Sequence, residues 1–242
     1  MKPASALLAA GLALWLVLVP GATQARPSVD KLVEYFAIIV FGSEIDGVAA
    51  HTSIRKWQGP IRYKLGGLTK EAKLFRPIIV RHTKALARYS RLKFKEVPGN
   101  SAGEELIIWF TKPAGMLKAA RMLEKNERVI RRLAQERTCF FLTYHVAPGR
   151  LIKAMIVINA ERQFGKTEHC LLEELSQSLG LPNDSPLVTP SIFSTRDRLT
   201  KLSFIDKVLI RTLYDPRLKV GTPKALALRQ VRAIINELAG GK

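Results

Sequence analysis

The 242-residue sequence predicts an α+β fold, because the apolar spacings of strands and of helices occur in separate groups along the chain. A helix, a strand and a long helix come first, most of the strand patterns follow, and helix patterns dominate the last third. One strand, residues 154–159 (AMIVIN), is almost entirely apolar, which is typical of a strand covered on both faces. The length suits one domain of ordinary size with its own core.

Residues that cap helices or form turns indicate where the first elements begin and end. A serine and a threonine are candidate helix caps, a Gly-Gly pair ends the first strand, and a proline predicts a break or kink in the second helix. These elements are a helix at 28–41 capped by Ser28, a strand at 61–65, and a helix from Thr69 to about Tyr89 containing Pro77. Basic residues recur along the second helix and predict a solvated stripe opposite an apolar face that includes Leu74 and Ile78.

The second half of the chain alternates strand pairs with helices. Turn sequences rich in proline and glycine separate the strands, and a glycine and a proline end the helix that follows them. The predicted elements are strands at 92–97 and 105–110, a helix at 115–136, strands at 139–145 and 152–159, and helices at 169–181, 203–213 and 223–238.

The first 25 residues have the three parts of a secretory signal peptide. Lys2 supplies the positive start, residues 4–19 are uncharged, and small residues precede a cleavage site after Ala25. The apolar run is short for a membrane span, and no later run approaches that length. We therefore expect an exported protein, periplasmic or secreted, with no transmembrane segment after signal cleavage.

Two further features of the sequence bear on the compartment and on the partners: the two cysteines and the large positive charge. An oxidising compartment favours a disulfide between Cys139 and Cys170, and two buried free thiols are the alternative. The net charge is +19, and it implies long-range attraction to anionic lipid, envelope polymers or nucleic acid. Aromatic residues do not alternate with the basic ones and no nucleic-acid motif is present, so nucleic acid is not indicated as a partner.

Residues 173–184 (EELSQSLGLPND) carry the motif most informative about chemistry. They resemble the extended metzincin signature H-E-x-x-H-x-x-G-x-x-H, in which three histidines hold zinc and the glutamate is the general base. Glu174 stands at the general-base position, and Gly180 stands at the turn. The three histidine positions are occupied by Glu173, Gln177 and Asn183.

The resemblance extends over about residues 55–215. Residues 202–214 (LSFIDKVLIRTLY) are similar to the matrixin helix that follows the active site, with its LS-x-x-D and LY residues. The chain also resembles an uncharacterised family of bacterial exported proteins that are related to these peptidases but lack their histidines. The resemblance implies a zincin-like mixed sheet with an active-site-type helix and C-terminal helices. The implied organisation is a signal peptide at 1–25, an N-terminal extension at 26–54, a metzincin-like domain at 55–220 and a C-terminal helix at 221–242.

The departures from the signature concern the metal. Glu173 is able to ligate zinc, whereas the amides of Gln177 and Asn183 are weak ligands. Ser191-Ile192-Phe193 stands about where the Met-turn methionine is expected. We therefore expect no cofactor, and a weaker alternative is a metal bound by His169 and Glu173, which share a helical face. The other histidines have no recognisable ligand spacing.

Three functions remain open at this stage. The first is non-catalytic binding, in the former substrate cleft, of a peptide chain or an anionic envelope polymer, since the resemblance implies an edge strand that pairs with extended peptides. The second is a hydrolase that uses Glu174 with a non-standard metal site or without metal. The third is electrostatic binding of acidic polymers outside the cleft. We favour the first, and therefore a protein that is not an enzyme.

Overall fold

The computed structural model describes residues 26–43, 50–135 and 138–240. These ranges contain seven α-helices and one five-stranded sheet, which confirms the predicted α+β class. The predicted signal peptide at 1–25 lies outside the described residues. Among the helices that are described, none is both long and apolar enough to cross a membrane.

The observed elements follow the predicted order closely. The first six are α1 (Val29–Phe41), β1 (Ile61–Gly67), α2 (Thr69–Ser90), β2 (Phe94–Glu96), β3 (Leu106–Thr111) and α3 (Pro113–Leu123). The second six are α4 (Glu127–Gln135), β4 (Cys139–Val146), β5 (Arg150–Asn159), α5 (Phe164–Gln177), α6 (Phe204–Leu213) and α7 (Lys224–Ala239).

The sheet is mixed, with the strand order β2-β1-β3-β5-β4. Strands β1, β2, β3 and β5 run parallel, and β4 alone runs antiparallel to its neighbour, in a register that places Cys139 opposite Ile158. Strand β5 lies in the interior of the sheet, and its residues 156–159 are buried or nearly so, which confirms the strand predicted to be covered on both faces.

Helices cover the two faces of the sheet unequally. The main core lies on the face packed by α1, α2, α5, α6 and α7, with Phe36, Ile79 and Leu175 among its fully buried side chains. A smaller cluster lies where α3 and α4 pack against the other face, around Met116 and Val157. The two clusters share the sheet but have separate sets of buried side chains.

Helix α2 differs from its prediction in three respects. Thr69 is the first helical residue rather than the cap, a position that Leu68 occupies without a side-chain hydrogen bond. The helix continues through Pro77, whose exposure lets water solvate the carbonyl that its missing N–H leaves unpaired. Leu74, predicted on the apolar face, is 56% exposed because the buried face runs through Phe75 and Ile79 instead. The basic stripe is exposed, as predicted.

The prediction of a single helix at 115–136 is wrong, because the chain forms two helices, α3 and α4, with a break between them. The side chain of Glu124 accepts hydrogen bonds from the backbone N–H groups of Lys125 (2.7 Å) and Asn126 (2.8 Å). The Asn126 side chain then accepts from the N–H of Arg128 at 3.0 Å and so caps α4. These local bonds offer the backbone partners that compete with a continuous helix.

Helix α5 also has different limits from those predicted. It begins at Phe164, five residues before the predicted start at His169, and it ends at Gln177 rather than at Leu181. The last turn stops early because Gly180 adopts a φ of +108°, outside the helical region.

Candidate functional site

A cleft of about 760 Å³ lies between strand β4 and helix α5. Its wall on one side is β4 together with α4, and on the other side α5 and the loop residues around 182–184 and 195–198. The structure brings the candidate ligand and catalytic residues into this one cleft, lined by His169, Glu173, Glu174, Gln177 and Asn183. The five candidate residues therefore line one and the same cleft.

A disulfide joins the two walls of the cleft. Cys139 at the start of β4 is bonded to Cys170 in α5, with a Cα–Cα distance of 6.1 Å, which confirms the predicted pairing over the free-thiol alternative. The two sulfurs and a carboxylate oxygen of Glu173 lie within 4.8 Å of one another. Because the sulfurs are bonded to each other, only Glu173 of these three has a free ligand atom.

Glu173 has a partner one turn earlier in α5. Its Oε2 lies 3.3 Å from Nε2 of the buried His169, and Nδ1 of the same ring lies 2.8 Å from the carbonyl oxygen of Leu199. Burial lowers the pKa of His169, but the hydrogen bond and the charge of Glu173 outweigh it, so the pKa is raised overall. The proposed His169–Glu173 metal pair is thus an ion pair when the histidine is protonated.

This ion pair predicts a pH-dependent contribution to stability. Because the folded-state pKa of His169 lies above its ordinary value of 6.5, the contribution is fully present below that value and is lost as the pH rises through the folded pKa. Glu173→Gln should therefore lower the free energy of unfolding more at about pH 6 than at about pH 9. Urea unfolding of both proteins at the two pH values measures the difference, and an equal loss at both would contradict the assignment.

The amides at the other two ligand positions contact different parts of the protein. Nε2 of the buried Gln177 donates to Oδ1 of Asp184 at 2.8 Å. Nδ2 of Asn183 donates to the carbonyl oxygen of Ile38 at 3.1 Å, near the end of α1. Glu174 lies deeper, with 5% of its surface exposed. The side chains at the three positions that resemble zinc ligands therefore contact three different parts of the protein.

Gly180 forms the turn that carries the chain from α5 into the loop at residues 182–184, which lines the cleft. Its φ is +108°, and a Cβ atom there would lie 2.2 Å from the carbonyl oxygen of Arg55. The neighbouring carbonyl of Leu179 accepts a hydrogen bond of 2.8 Å from the hydroxyl of Tyr214, at the end of α6. Glycine is therefore required by both the backbone conformation and the close approach.

The residues at the expected place of the Met-turn, Ser191 to Phe193, are fully buried. Oγ of Ser191 donates to Oδ1 of Asp206 at 2.6 Å, and the N–H of Ile192 donates to the same oxygen at 3.0 Å. The other carboxylate oxygen accepts from the N–H of Ser203 at 2.7 Å, within a capping box that begins α6. This set of bonds fixes the loop at residues 191–193 to the start of α6.

Arginines are among the cleft residues that no sequence pattern indicates. Four of them line the cleft together with the predicted residues: Arg55, Arg132, Arg162 and Arg198. Nη1 of Arg162 lies 2.9 Å from Sγ of Cys170. Burial lowers the pKa of Arg162, Arg198 lowers it further, and Glu173 raises it. No sequence signal distinguishes these four arginines from the many other basic residues, because the fold brings them together from distant segments.

Of the remaining histidines, only His51 lines the cleft. Burial and the charge of Arg55 lower its pKa to about 4, so its ring is neutral at neutral pH. His82 is buried in the face of α2 that packs on the core, and His145 lies near the end of β4. His51 and His145 are near enough to each other for the charge of His145 also to lower the pKa of His51.

The fold and the site together define an α+β protein with a cleft between the edge strand β4 and the helix α5, which a disulfide joins. The sequence model of the family described as "Protein of unknown function (DUF2927)" matches residues 29–237, from the start of α1 into the last turns of α7. The chain therefore belongs to this family, and the expected membership in an uncharacterised family is confirmed at that level. A search of curated proteins finds no match.

Proposed function

We propose that this is an exported, zincin-like protein that binds an extended peptide chain in its cleft without cleaving it. The observation that carries the proposal is the position of β4. This strand is the last in the sheet order, and in the described ranges β5 is the one strand that pairs with it. An unpaired strand edge beside a cleft is the surface to which extended peptides add in β-augmentation.

The register of β4 identifies the backbone groups available to a peptide. Thr143 lies opposite Ala154, and the N–H of Ala154 donates to Glu105 at 2.8 Å on the far side of β5. The Thr143–Ala154 pair is therefore a non-hydrogen-bonded pair, and the N–H and C=O groups of Thr143 point away from β5. By the alternation of the ladder, Cys139 and Phe141 present their backbone groups in the same direction.

The zincin-like part of the proposal rests on the sequence motif and on the arrangement of the elements around it. The strand that the motif resemblance places before the active-site-type helix is β5, and β4 lies along the cleft next to that helix, α5. The residues that resemble the later matrixin helix form α6, whose Asp206 and Tyr214 bond to the segments around the cleft. These positions agree with the roles that the resemblance implies.

The non-catalytic part rests on the donors at the former ligand positions. A catalytic zinc needs three good ligands around one point and an open fourth position. Here Glu173 faces His169, Gln177 donates to Asp184, and the third position holds an amide directed to α1. This set does not fit zinc, and the proposal therefore contains no step in which a metal takes part.

Replacing one residue of the strand edge tests the proposal. Thr143→Pro removes an N–H that faces the cleft and leaves the bonds to β5 intact, so the fold tolerates it as an edge position. A library of random linear heptapeptides displayed on phage is selected on the protein, and synthetic copies of the enriched peptides are titrated. We expect Thr143→Pro to weaken binding about 10-fold or more, because a ladder bond is lost and the proline ring obstructs the edge.

Thr143→Ala is the matched control, because it shortens the same side chain and keeps the N–H. It should bind the peptides within about 3-fold of the original protein. Failure to enrich any peptide, or equal binding by the proline and alanine variants, would contradict β-augmentation. Stoichiometric zinc in protein purified without chelators, or peptide cleavage that Glu174→Gln abolishes, would overturn the non-catalytic assignment in favour of a hydrolase.

A further inference from the structure

We propose that Arg162 and Arg198 form a carboxylate-binding subsite in the cleft, which makes the preferred ligand an acidic peptide. This inference deepens the function proposed above and rests on it. It assigns a substrate class to the peptide-binding cleft, namely extended segments with an aspartate or glutamate at one defined position.

Arg162 is held at the junction of the two cleft walls. It lies between the end of β5 and the start of α5, it is half-buried, and its Nη1 contacts Sγ of Cys170 at 2.9 Å. A disulfide sulfur is a weak acceptor, so this contact orients the guanidinium without neutralising it. The remaining N–H groups of the guanidinium are available to a stronger acceptor.

Arg198 approaches the same place from the loop before α6. Its Nη1 donates to the backbone carbonyls of Thr195 at 3.2 Å and Asp197 at 2.5 Å, and these neutral acceptors also leave its charge unpaired. Within the ranges that the structure describes, neither Arg162 nor Arg198 has a carboxylate within ion-pair distance. The charge of Arg198 depresses the pKa of Arg162, as expected of two guanidinium groups that face a common space.

The nearby carboxylate of Glu173 offsets part of this charge, since it raises the pKa of Arg162, but it lies against His169 and, among the described residues, forms no ion pair with either arginine. Arg162 is half-buried, whereas Arg198 is exposed. The two guanidinium groups therefore offer N–H donors to a carboxylate at a position where one of the two arginines is partly desolvated. A planar guanidinium binds a carboxylate through two parallel hydrogen bonds, which favours a carboxylate over a dispersed polyanion.

The position of Arg162 also predicts where the acidic residue lies in the bound peptide. Arg162 contacts Sγ of Cys170, and this sulfur forms the disulfide with Cys139, the first residue of β4. A peptide that pairs with the outward groups of Cys139, Phe141 and Thr143 passes Arg162 at its Cys139 end. The acidic side chain is therefore expected at that end of the paired segment rather than beside Thr143.

The test selects the same phage-displayed heptapeptide library on three proteins in parallel. These are the original chain, the double variant Arg162→Gln/Arg198→Gln, and the control Lys166→Gln/Arg196→Gln. The control removes the same charge from exposed residues that neighbour the pair in sequence but do not line the cleft. We expect an aspartate or glutamate at one fixed position in peptides enriched on the original and the control proteins, and its loss on the Arg162→Gln/Arg198→Gln variant.

The second part of the test uses only the original protein, so it does not depend on the folding of any variant. The affinity of a synthetic enriched peptide is compared with that of its amide copy, in which the acidic residue is changed by Asp→Asn or Glu→Gln. We expect the amide copy to bind about 10-fold or more weakly, since a charge-assisted bidentate contact is lost. Enriched peptides without a fixed acidic position would overturn this inference and leave the peptide-binding proposal standing. An equal loss of acidic preference on the control variant would also overturn it, in favour of long-range attraction, whereas failure to enrich any peptide would overturn both.

Discussion

Replacing Asp206 by alanine is expected to lower the free energy of unfolding by about 3–5 kcal/mol, measured by urea denaturation. The residue is completely buried, and its carboxylate accepts hydrogen bonds from the hydroxyl of Ser191 and from the N–H groups of Ile192 and Ser203. Alanine would leave all three donors without their acceptor, two of them fully buried, and each buried orphan costs about 1–3 kcal/mol. The capping box at the start of α6 would be lost at the same time.

Asp30→Ala provides the comparison for this large effect. Asp30 forms an ion pair with Arg232 at the surface, and its side chain is 77% exposed. Its removal should cost less than about 1 kcal/mol, as is usual for exposed pairs. A similarly small loss for Asp206→Ala would mean that the loop at residues 191–193 is not fastened through α6. The loop would then be held mainly by its other hydrogen bond, which the N–H of Ser191 donates to the carboxylate of Asp197.

Gly180→Ala is expected to have the second large effect, a loss of about 3–4 kcal/mol. The positive φ of +108° is strained for any residue with a Cβ, and the added atom would lie 2.2 Å from the backbone oxygen of Arg55. The clash is with backbone rather than with the end of a flexible side chain, so relief requires movement of the segment that carries Arg55 into the cleft wall. Peptide binding should therefore weaken as stability falls.

Gly165→Ala is the control for the glycine substitution, because it lies near the start of the same helix. A Cβ at Gly165 would meet no atom within 4 Å. Alanine has a higher helix propensity than glycine, so this variant should be as stable as the original or more stable by up to about 1 kcal/mol. If Gly180→Ala behaved like Gly165→Ala in urea denaturation, the turn would not need a left-handed residue.

Much of the fold was predictable because its signals are local. Alternating apolar residues, Ser28 as a cap, and Gly180 as a stop depend on neighbours within a few positions, and the structure has elements where these signals predict them. The break between α3 and α4 also has a local cause, the side-chain hydrogen bonds of Glu124 and Asn126 to nearby backbone N–H groups. The spacing of apolar residues does not reveal bonds of this kind, which compete with a continuous helix.

The cleft was only partly predictable, because its contacts join distant parts of the chain. The motif located Glu173, Gln177 and Asn183 near one another, but the bond from Asn183 to Ile38 spans 145 positions in sequence. Arg162 and Arg198 become neighbours only through the loop that precedes α6. The exposure of Leu74 was missed for the same reason, since the sheet rather than the helix decides which face is covered.

The unequal division of the core has a consequence for how the native protein fluctuates. Helices α3 and α4 rest on a cluster of eight buried residues, and α4 forms one rim of the cleft. A unit that buries so little apolar surface is expected to detach at a lower free energy than the main core, so its amides should exchange with solvent first. Strand β4 remains fastened to α5 through the disulfide during such an event. The cleft can therefore widen by release of α4 while the strand edge keeps its place, which admits a bulky chain without unfolding the surface that would bind it.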